Sequence, residues 1–128
     1  MKELMLAAAM VVFGTGMVAA DPLVGVWETE VDDGAYAHVA ITPCGQAFCG
    51  VISRTFKDGA EYQSENLGKK LVIDMKPLAE GEYEGEVWRP SNNKIYYGTI
   101  DLAGDKLRLA GCVAGGLICS KQNWQRVN

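Results

Sequence analysis

The chain has 128 residues, of which 48% are hydrophobic, and its 12 Lys and Arg against 16 Asp and Glu give a formal net charge of −4. Proteins that bind nucleic acids or anionic membranes cluster their basic residues. Here basic and acidic residues are interleaved, which argues against both partners. The length suffices for one hydrophobic core but not for a second domain.

The first 20 residues are typical of a cleavable secretion signal. Lys2 precedes an apolar run at residues 4–12, and the small-residue pattern Val18-Ala19-Ala20 comes just before Asp21. The apolar run is shorter than the roughly 20 residues that a membrane-spanning helix needs. We therefore expect a signal peptide at 1–20 and one mature domain at 21–128, without a membrane span, in the periplasm or secreted into the medium.

Short runs of alternating or β-branched residues, separated by Gly, Asn, Asp and Pro, predict an all-β fold for the mature chain. The predicted strands cover residues 24–31, 36–42, 48–55, 70–74, 82–89, 94–102, 106–112 and 117–127. Eight strands joined by successive hairpins indicate a small antiparallel up-and-down β-barrel, since closure removes exposed sheet edges. Residues 56–69 are polar and lack periodicity, so we expect a long loop across one mouth of the barrel.

Alternation also predicts which side chains face the interior. In residues 82–87 the glutamates point one way, and Tyr83, Gly85 and Val87 the other. The same reasoning places Leu107 and Leu109 inside. In the second strand it places Val39 and Ile41 inside and the alternating His38 and Ala40 outside.

The four cysteines form two closely spaced pairs, Cys44 with Cys49 and Cys112 with Cys119. An even number of cysteines in a small exported domain predicts disulfides, and three pairings are conceivable. We favour the two local ones because each pair brackets a turn, which brings facing residues within disulfide reach. A four-cysteine zinc site is the competing interpretation, but structural zinc usually uses closer pairs. We therefore expect neither a metal nor a cofactor.

Two sequence features near the ends of the mature chain point to a known architecture. Gly25-Val26-Trp27 and the late Trp124-Gln125-Arg126 are similar to the G-x-W motif and terminal arginine of lipocalin and calycin barrels. That resemblance implies structural roles for Trp27, Trp124 and Arg126, with the Arg packed over the ring of the first Trp, a cation–π contact worth about 0.5–2 kcal/mol.

Over nearly the whole mature chain the sequence resembles the exported bacterial family DUF2147. The matching pieces include Ile41-Thr42-Pro43-Cys44-Gly45, Trp88-Arg89-Pro90 and the segments at 107–112 and 124–127. The chain departs from the family at Asn92-Asn93, where Asp-Gly or Asn-Gly is usual, and in the loop at 56–69, which is commonly longer and richer in proline. The resemblance implies a lipocalin-like or fatty-acid-binding-protein-like barrel, and it brings no catalytic residues.

The sequence offers no enzyme signature. His38 is the single histidine and has no neighbouring nucleophile in the sequence pattern, so we interpret it as structural. The acidic stripe of Glu82, Glu84 and Glu86 is interpreted as a solvated face rather than a cation site. An enzyme centred on His38 and nearby carboxylates is therefore less favoured than the two non-enzymatic hypotheses that follow.

The leading hypothesis is a non-enzymatic barrel that binds a small hydrophobic or amphipathic molecule. Barrels of about eight strands can hold one small ligand. The residues expected to line its site are Tyr83, Val87, Tyr97, Leu107 and Leu109. The alternative is a protein-interaction module of the cell envelope, a stress factor or hydrolase inhibitor, that acts through the 56–69 loop or a cystine hairpin.

Overall fold

The computed structural model describes residues 21–128, so the expected signal peptide at 1–20 lies outside the described residues. They form nine β-strands and one 3-10 turn. The strands are β1 (Gly25–Glu28), β2 (Ala35–Cys44), β3 (Ala47–Lys57), β4 (Ala60–Tyr62), β5 (Lys70–Ala79), β6 (Glu82–Arg89), β7 (Lys94–Ala103), β8 (Lys106–Val113) and β9 (Ile118–Arg126), and the turn is Ala114–Gly116. No helix in this part of the chain is long and apolar enough to cross a membrane.

Eight of the strands close into an antiparallel barrel. Each pairs with its neighbours in the order β1-β2-β3-β5-β6-β7-β8-β9, and β9 returns to β1, where Trp27 lies opposite Arg126. The short β4 extends the sheet beside the far end of β3. The predicted all-β, eight-stranded antiparallel barrel is therefore confirmed.

The barrel interior holds the side chains of alternate strand residues, as the period of two requires. Val39, Ile41 and Leu107 are fully buried, while Tyr83, Val87 and Leu109 are nearly so. The core also includes Trp27, Val72, Met75, Ile100 and Trp124. The inward orientation predicted for residues of β2, β6 and β8 agrees with this packing.

One end of the barrel is closed by the chain that precedes β1 and by the last strand. The Arg126 guanidinium carbon lies 4.3 Å from the centre of the Trp27 ring, the contact that the sequence motif implies. The same guanidinium donates hydrogen bonds to the Asp105 carboxylate at 2.9 Å and to the Val24 carbonyl at 3.1 Å. Arg126 thereby ties β9, the β7–β8 turn and the N-terminal segment together.

The segment from Asp21 to Val24 fills the closed end from inside. Leu23 is fully buried, and its carbonyl accepts a hydrogen bond from the Trp27 indole at 3.0 Å. The Asp21 carboxylate accepts another from the Tyr83 hydroxyl at 2.6 Å. Burial, together with this hydrogen bond, raises the pKa of the Tyr83 phenol above its ordinary value.

Three departures from the predicted strand boundaries change the shape of the barrel, while the other boundaries agree to within two residues. β1 ends at Glu28 instead of residue 31, because the chain then leaves the barrel wall. β5 continues to Ala79, since Asp74 adopts a left-handed conformation (φ 47°) beside a register shift and the strand resumes beyond it. The expected loop at 56–69 is partly strand, because β3 reaches Lys57 and turns back as β4.

Both cysteine pairs form the predicted local disulfides. Cys44–Cys49 closes the β2–β3 hairpin with a Cα–Cα distance of 5.7 Å, and Cys112–Cys119 closes the β8–β9 hairpin at 4.1 Å. The two hairpins lie at opposite ends of the barrel, so the four sulfurs cannot share a metal ion. Asp74 lies beside the first pair, but these sulfurs are bonded to each other and provide no thiolate ligand.

Replacing Gly25 with Ala should destabilise the barrel by at least about 1–3 kcal/mol, the usual cost of a strained backbone conformation. Gly25 has φ +151°, and an added Cβ would lie 2.5 Å from Arg126 Nη1 and 2.7 Å from the Asn128 carbonyl oxygen. Gly104→Ala is the control, since Gly104 also has a positive φ (+61°) but open space around it. Urea denaturation of both variants should show the larger loss for Gly25→Ala, and equal losses would contradict the Arg126 explanation.

The Tyr83 phenol should make the fold sensitive to alkali. Because its pKa is higher in the folded than in the unfolded chain, where it is about 10, the stabilisation is complete below that pH and is lost as pH rises beyond it. Thermal melts between pH 8 and 11 should show a steeper decline for the wild type than for Tyr83→Phe. Parallel declines would show that Tyr83 does not carry the effect.

Candidate functional site

A cavity of about 550 Å³ opens at the end of the barrel opposite Trp27 and Arg126. Its deep wall consists of buried apolar side chains from six of the barrel strands. These are Ala37, Ile52, Leu71, Val87, Leu109 and Trp124. The half of the barrel at the open end (the upper half) is therefore hollow, whereas the half at the closed end, around Trp27 (the lower half), is filled by the core.

Polar groups near the cavity already have protein partners. The Thr55 hydroxyl, on the inner wall, donates to the Tyr62 carbonyl at 2.6 Å and accepts from the Ser64 backbone N–H at 3.3 Å. The Trp124 indole donates to the Gln122 side-chain oxygen at 2.8 Å. Within residues 21–128 no fully buried side-chain nitrogen or oxygen lacks a hydrogen-bond partner, so the deep part of the wall leaves no buried polar group unsatisfied.

An ion pair spans the mouth of this cavity. Asp32, in the β1–β2 connection, receives two hydrogen bonds from Arg89 at the end of β6, from Nε at 3.0 Å and from Nη2 at 2.9 Å. Three strand pairings separate β1 and β2 from β6 and β7 in either direction around the barrel, so the pair joins opposite sides. We call Asp32 and Arg89 the mouth pair.

Two tight turns position the mouth pair. Asp33 (φ 56°) and Gly34 (φ 77°) are the central residues of a two-residue turn, closed by hydrogen bonds between Asp32 and Ala35, which are the residue types and angles of a type I′ hairpin. Beyond Arg89, Asn93 takes a left-handed conformation (φ 57°), and its N–H donates to the Arg89 carbonyl. Asn at a position of positive φ costs less than most residues.

The rim around the mouth is unusually apolar for an exposed surface. Leu117 is 86% exposed and Ile118 64%, both on the hairpin closed by Cys112–Cys119. The other exposed hydrophobic side chains at this end are Val31, Tyr62, Ile95 and Val113. Most of the large exposed hydrophobic residues of the described chain therefore surround the cavity entrance.

Comparison of the sequence with protein-family profiles identifies the family. The profile of the bacterial family described as "Uncharacterized protein conserved in bacteria (DUF2147)" matches residues 25–126, which includes every strand of the barrel. The chain belongs to the DUF2147 family. No curated protein matches it by sequence.

Two solved structures resemble the DUF2147 barrel in fold. A Helicobacter pylori protein, HP1028, described as belonging to the lipocalin family, superposes with a TM-score of 0.66 at 15% identity and covers 83% of each chain. Fatty-acid-binding protein 1 of Echinococcus granulosus gives a TM-score of 0.50 at 11% identity, covering 85% of this chain and 100% of the other. At these identities the likeness establishes the fold alone.

The residues expected to line a ligand site in this DUF2147 barrel separate into three groups. Val87 and Leu109 line the cavity. Tyr83 and Leu107 face inward but belong to the filled core, and Tyr83 bonds Asp21 at the closed end. Tyr97 is on the outer surface, where its hydroxyl donates to Glu84 at 2.8 Å, so its predicted inward facing is wrong.

The error at Tyr97 has a simple physical cause. Gly98 and Ile100 are buried, and alternation then puts residue 96 inside and residue 97 outside. Tyr96 accordingly lines the cavity. Two adjacent residues of a regular strand cannot both face inward. Tyr97 therefore had to face outward once Gly98 and Ile100 were assigned to the interior.

His38 lies on the outside of the barrel. Its Nε2 is 3.0 Å from Glu28 Oε1, and its ring packs against Phe56 with 4.9 Å between ring centres. Phe56 stacks in turn on Tyr36 at 4.6 Å. This cluster braces β1, β2 and β3 on the outer face. His38 and Phe56 do not line the cavity, whereas Tyr36 contributes to its rim.

The mouth pair was not predicted from the sequence. Asp32 and Arg89 are 57 residues apart, and neither has a local pattern that names its partner. In the sequence prediction Asp32 directly follows the strand that ends at residue 31, and Arg89 ends the strand at 82–89. The barrel topology alone brings the two turns to facing positions.

Proposed function

We propose that this protein is an exported, non-enzymatic barrel that binds a small hydrophobic or amphipathic molecule in the cavity at its open end. The proposal rests chiefly on one observation, a cavity of about 550 Å³ whose deep wall is apolar. Ligand sites are typically concave, mostly apolar and about 300–1,000 Å³ in volume. The likeness to lipocalin and fatty-acid-binding barrels is consistent with such a role, but fold alone does not determine function.

Export through a signal peptide at residues 1–20 is part of this proposal. Two disulfides are compatible with an oxidising, extracytoplasmic compartment. A mature chain that begins at Asp21 would keep the Asp21 carboxylate and Leu23, both of which contribute to the closed end. The periplasm or the medium would then be the place where ligand is acquired.

A cavity-filling substitution tests the binding function. Leu109→Trp should occupy the apolar floor and abolish ligand retention, whereas Leu78→Trp, at a 57% exposed position near the closed end, should leave it intact. Native mass spectrometry of each protein purified from the periplasm would detect a non-covalent mass that disappears on denaturation. Circular dichroism would verify that both variants fold, and Ile52→Phe offers a second, smaller obstruction in the same wall.

The binding function would be contradicted if the wild type carried no small molecule and bound no apolar dye. Retention by a folded Leu109→Trp variant equal to that of the wild type would place any ligand elsewhere. In either case the cavity would not be the functional site.

A second candidate function, a docking module for an envelope protein, is supported by the exposed rim. Leu117 and Ile118 project from a disulfide-closed hairpin into solvent, and apolar patches of this kind often mark protein contacts. The segment at 56–69, which the sequence predicts as a loop across the mouth, contributes Tyr62 to the same rim. Binding of ligand and docking of a partner could then use the same end of the barrel.

Site-specific photo-crosslinking in the native cell would test docking at the rim. A photoreactive residue at position 117 should give a discrete crosslinked protein band, while the same residue at position 78, exposed at the other end, should not. Crosslinks of equal intensity at both positions, or none at position 117, would count against a rim-docked partner.

A further inference from the structure

We propose that the ligand of this cavity is uncharged, and that the protein discriminates against molecules with an anionic head because Asp32 already occupies the anion-binding position on Arg89. This inference rests on the binding function proposed above and narrows its ligand class. It follows from the charges of the wall, the geometry of the mouth pair and the charge balance of the rim.

The interior of the cavity cannot compensate a charge. Its buried wall is made of apolar side chains and of Thr55, whose hydroxyl is engaged with Tyr62 and Ser64. Burial of an ionised carboxylate without a partner is strongly unfavourable. An anionic group of a bound amphiphile would therefore have to remain at the mouth.

At the mouth, the most suitable partner for an anion is already taken. Arg guanidinium groups recognise carboxylates through two parallel N–H···O bonds. Arg89 makes this bidentate interaction with Asp32, and the Ser91 hydroxyl lies 3.5 Å from the same carboxylate. A ligand carboxylate or phosphate would have to displace an anion that is tethered to the protein and held in place by a tight turn.

The remaining charges around the entrance oppose an anion as well. The charged residues that line the cavity are two basic, Lys57 and Arg89, and three acidic, Glu30, Asp32 and Asp33, a net charge of −1. Glu30 is fixed against β9, where it accepts the backbone N–H of Asn123. An uncharged molecule encounters none of these penalties and gains from the apolar floor.

The test compares two probes that differ in charge, 1-decanol and decanoate, at pH 7.5, below the aqueous solubility limit of decanol and the critical micelle concentration of decanoate. Each competes with the neutral apolar dye N-phenyl-1-naphthylamine for the purified mature protein. Decanol should displace the dye at a concentration at least about 10-fold lower than decanoate. A factor of this size is expected when a charged group lacks one hydrogen-bond partner.

Because decanol is intrinsically more apolar than decanoate, two variants isolate the effect of the mouth pair. Asp32→Asn should free Arg89 and improve decanoate binding about 10-fold, with decanol binding changed less than about 2-fold. Asp33→Asn removes the same charge from the rim but leaves the mouth pair intact, and it should change decanoate binding much less than Asp32→Asn.

The inference would be overturned if the wild type bound decanoate as tightly as decanol. It would also be overturned if the two Asn variants improved decanoate binding equally, since net charge alone would then explain the preference. If neither the dye nor decanol bound the wild type, the proposed binding function itself would fail. Binding of dye and decanol with the wrong charge preference would reject the ligand class alone.

Discussion

The packing of Arg126 on Trp27 holds the first and last barrel strands together, and the rest of the molecule depends on that closure. β1 is four residues long and pairs with β9 at two positions, and three further backbone hydrogen bonds join Val26 to residues 127 and 128, so the backbone seam is short. The guanidinium adds a cation–π contact and hydrogen bonds to Asp105 and Val24. Gly25 leaves room for it. The G-x-W motif and the late arginine are thus parts of one interaction.

Once the seam is closed, the barrel interior divides into two structurally different halves. The lower half is filled by Trp27, Leu23 and the side chains around them, with Asp21 and Tyr83 hydrogen-bonded at its edge. Above Trp124 the interior is hollow and is covered in part by the β1–β2 connection. The filled layer of these strands can therefore provide stability, and the hollow layer the proposed binding. The cavity wall then needs few side chains other than the apolar ones that form its surface.

The sequence was informative wherever a property is local. Hairpin turns, alternating burial and the pairing of cysteines five and seven residues apart all follow from short-range geometry, and the resemblance to lipocalin-like barrels supplied the closure. The sequence was uninformative about features set by topology. The mouth pair needs the whole barrel to bring Asp32 to Arg89, and the boundary between filled core and cavity divides inward residues, such as Leu107 and Leu109, that share one pattern.

The closed end also determines how the molecule can be tethered. Asp21 bonds Tyr83 there, and the Asn128 carbonyl accepts the N–H of Val26 on β1, so both ends of the described chain emerge on the side away from the cavity. A fusion tag or a surface linkage at Asn128 would leave the entrance facing solution. Immobilised in this way, the barrel would present its apolar rim and its mouth in a uniform orientation, which suits it to surface-based binding sensors.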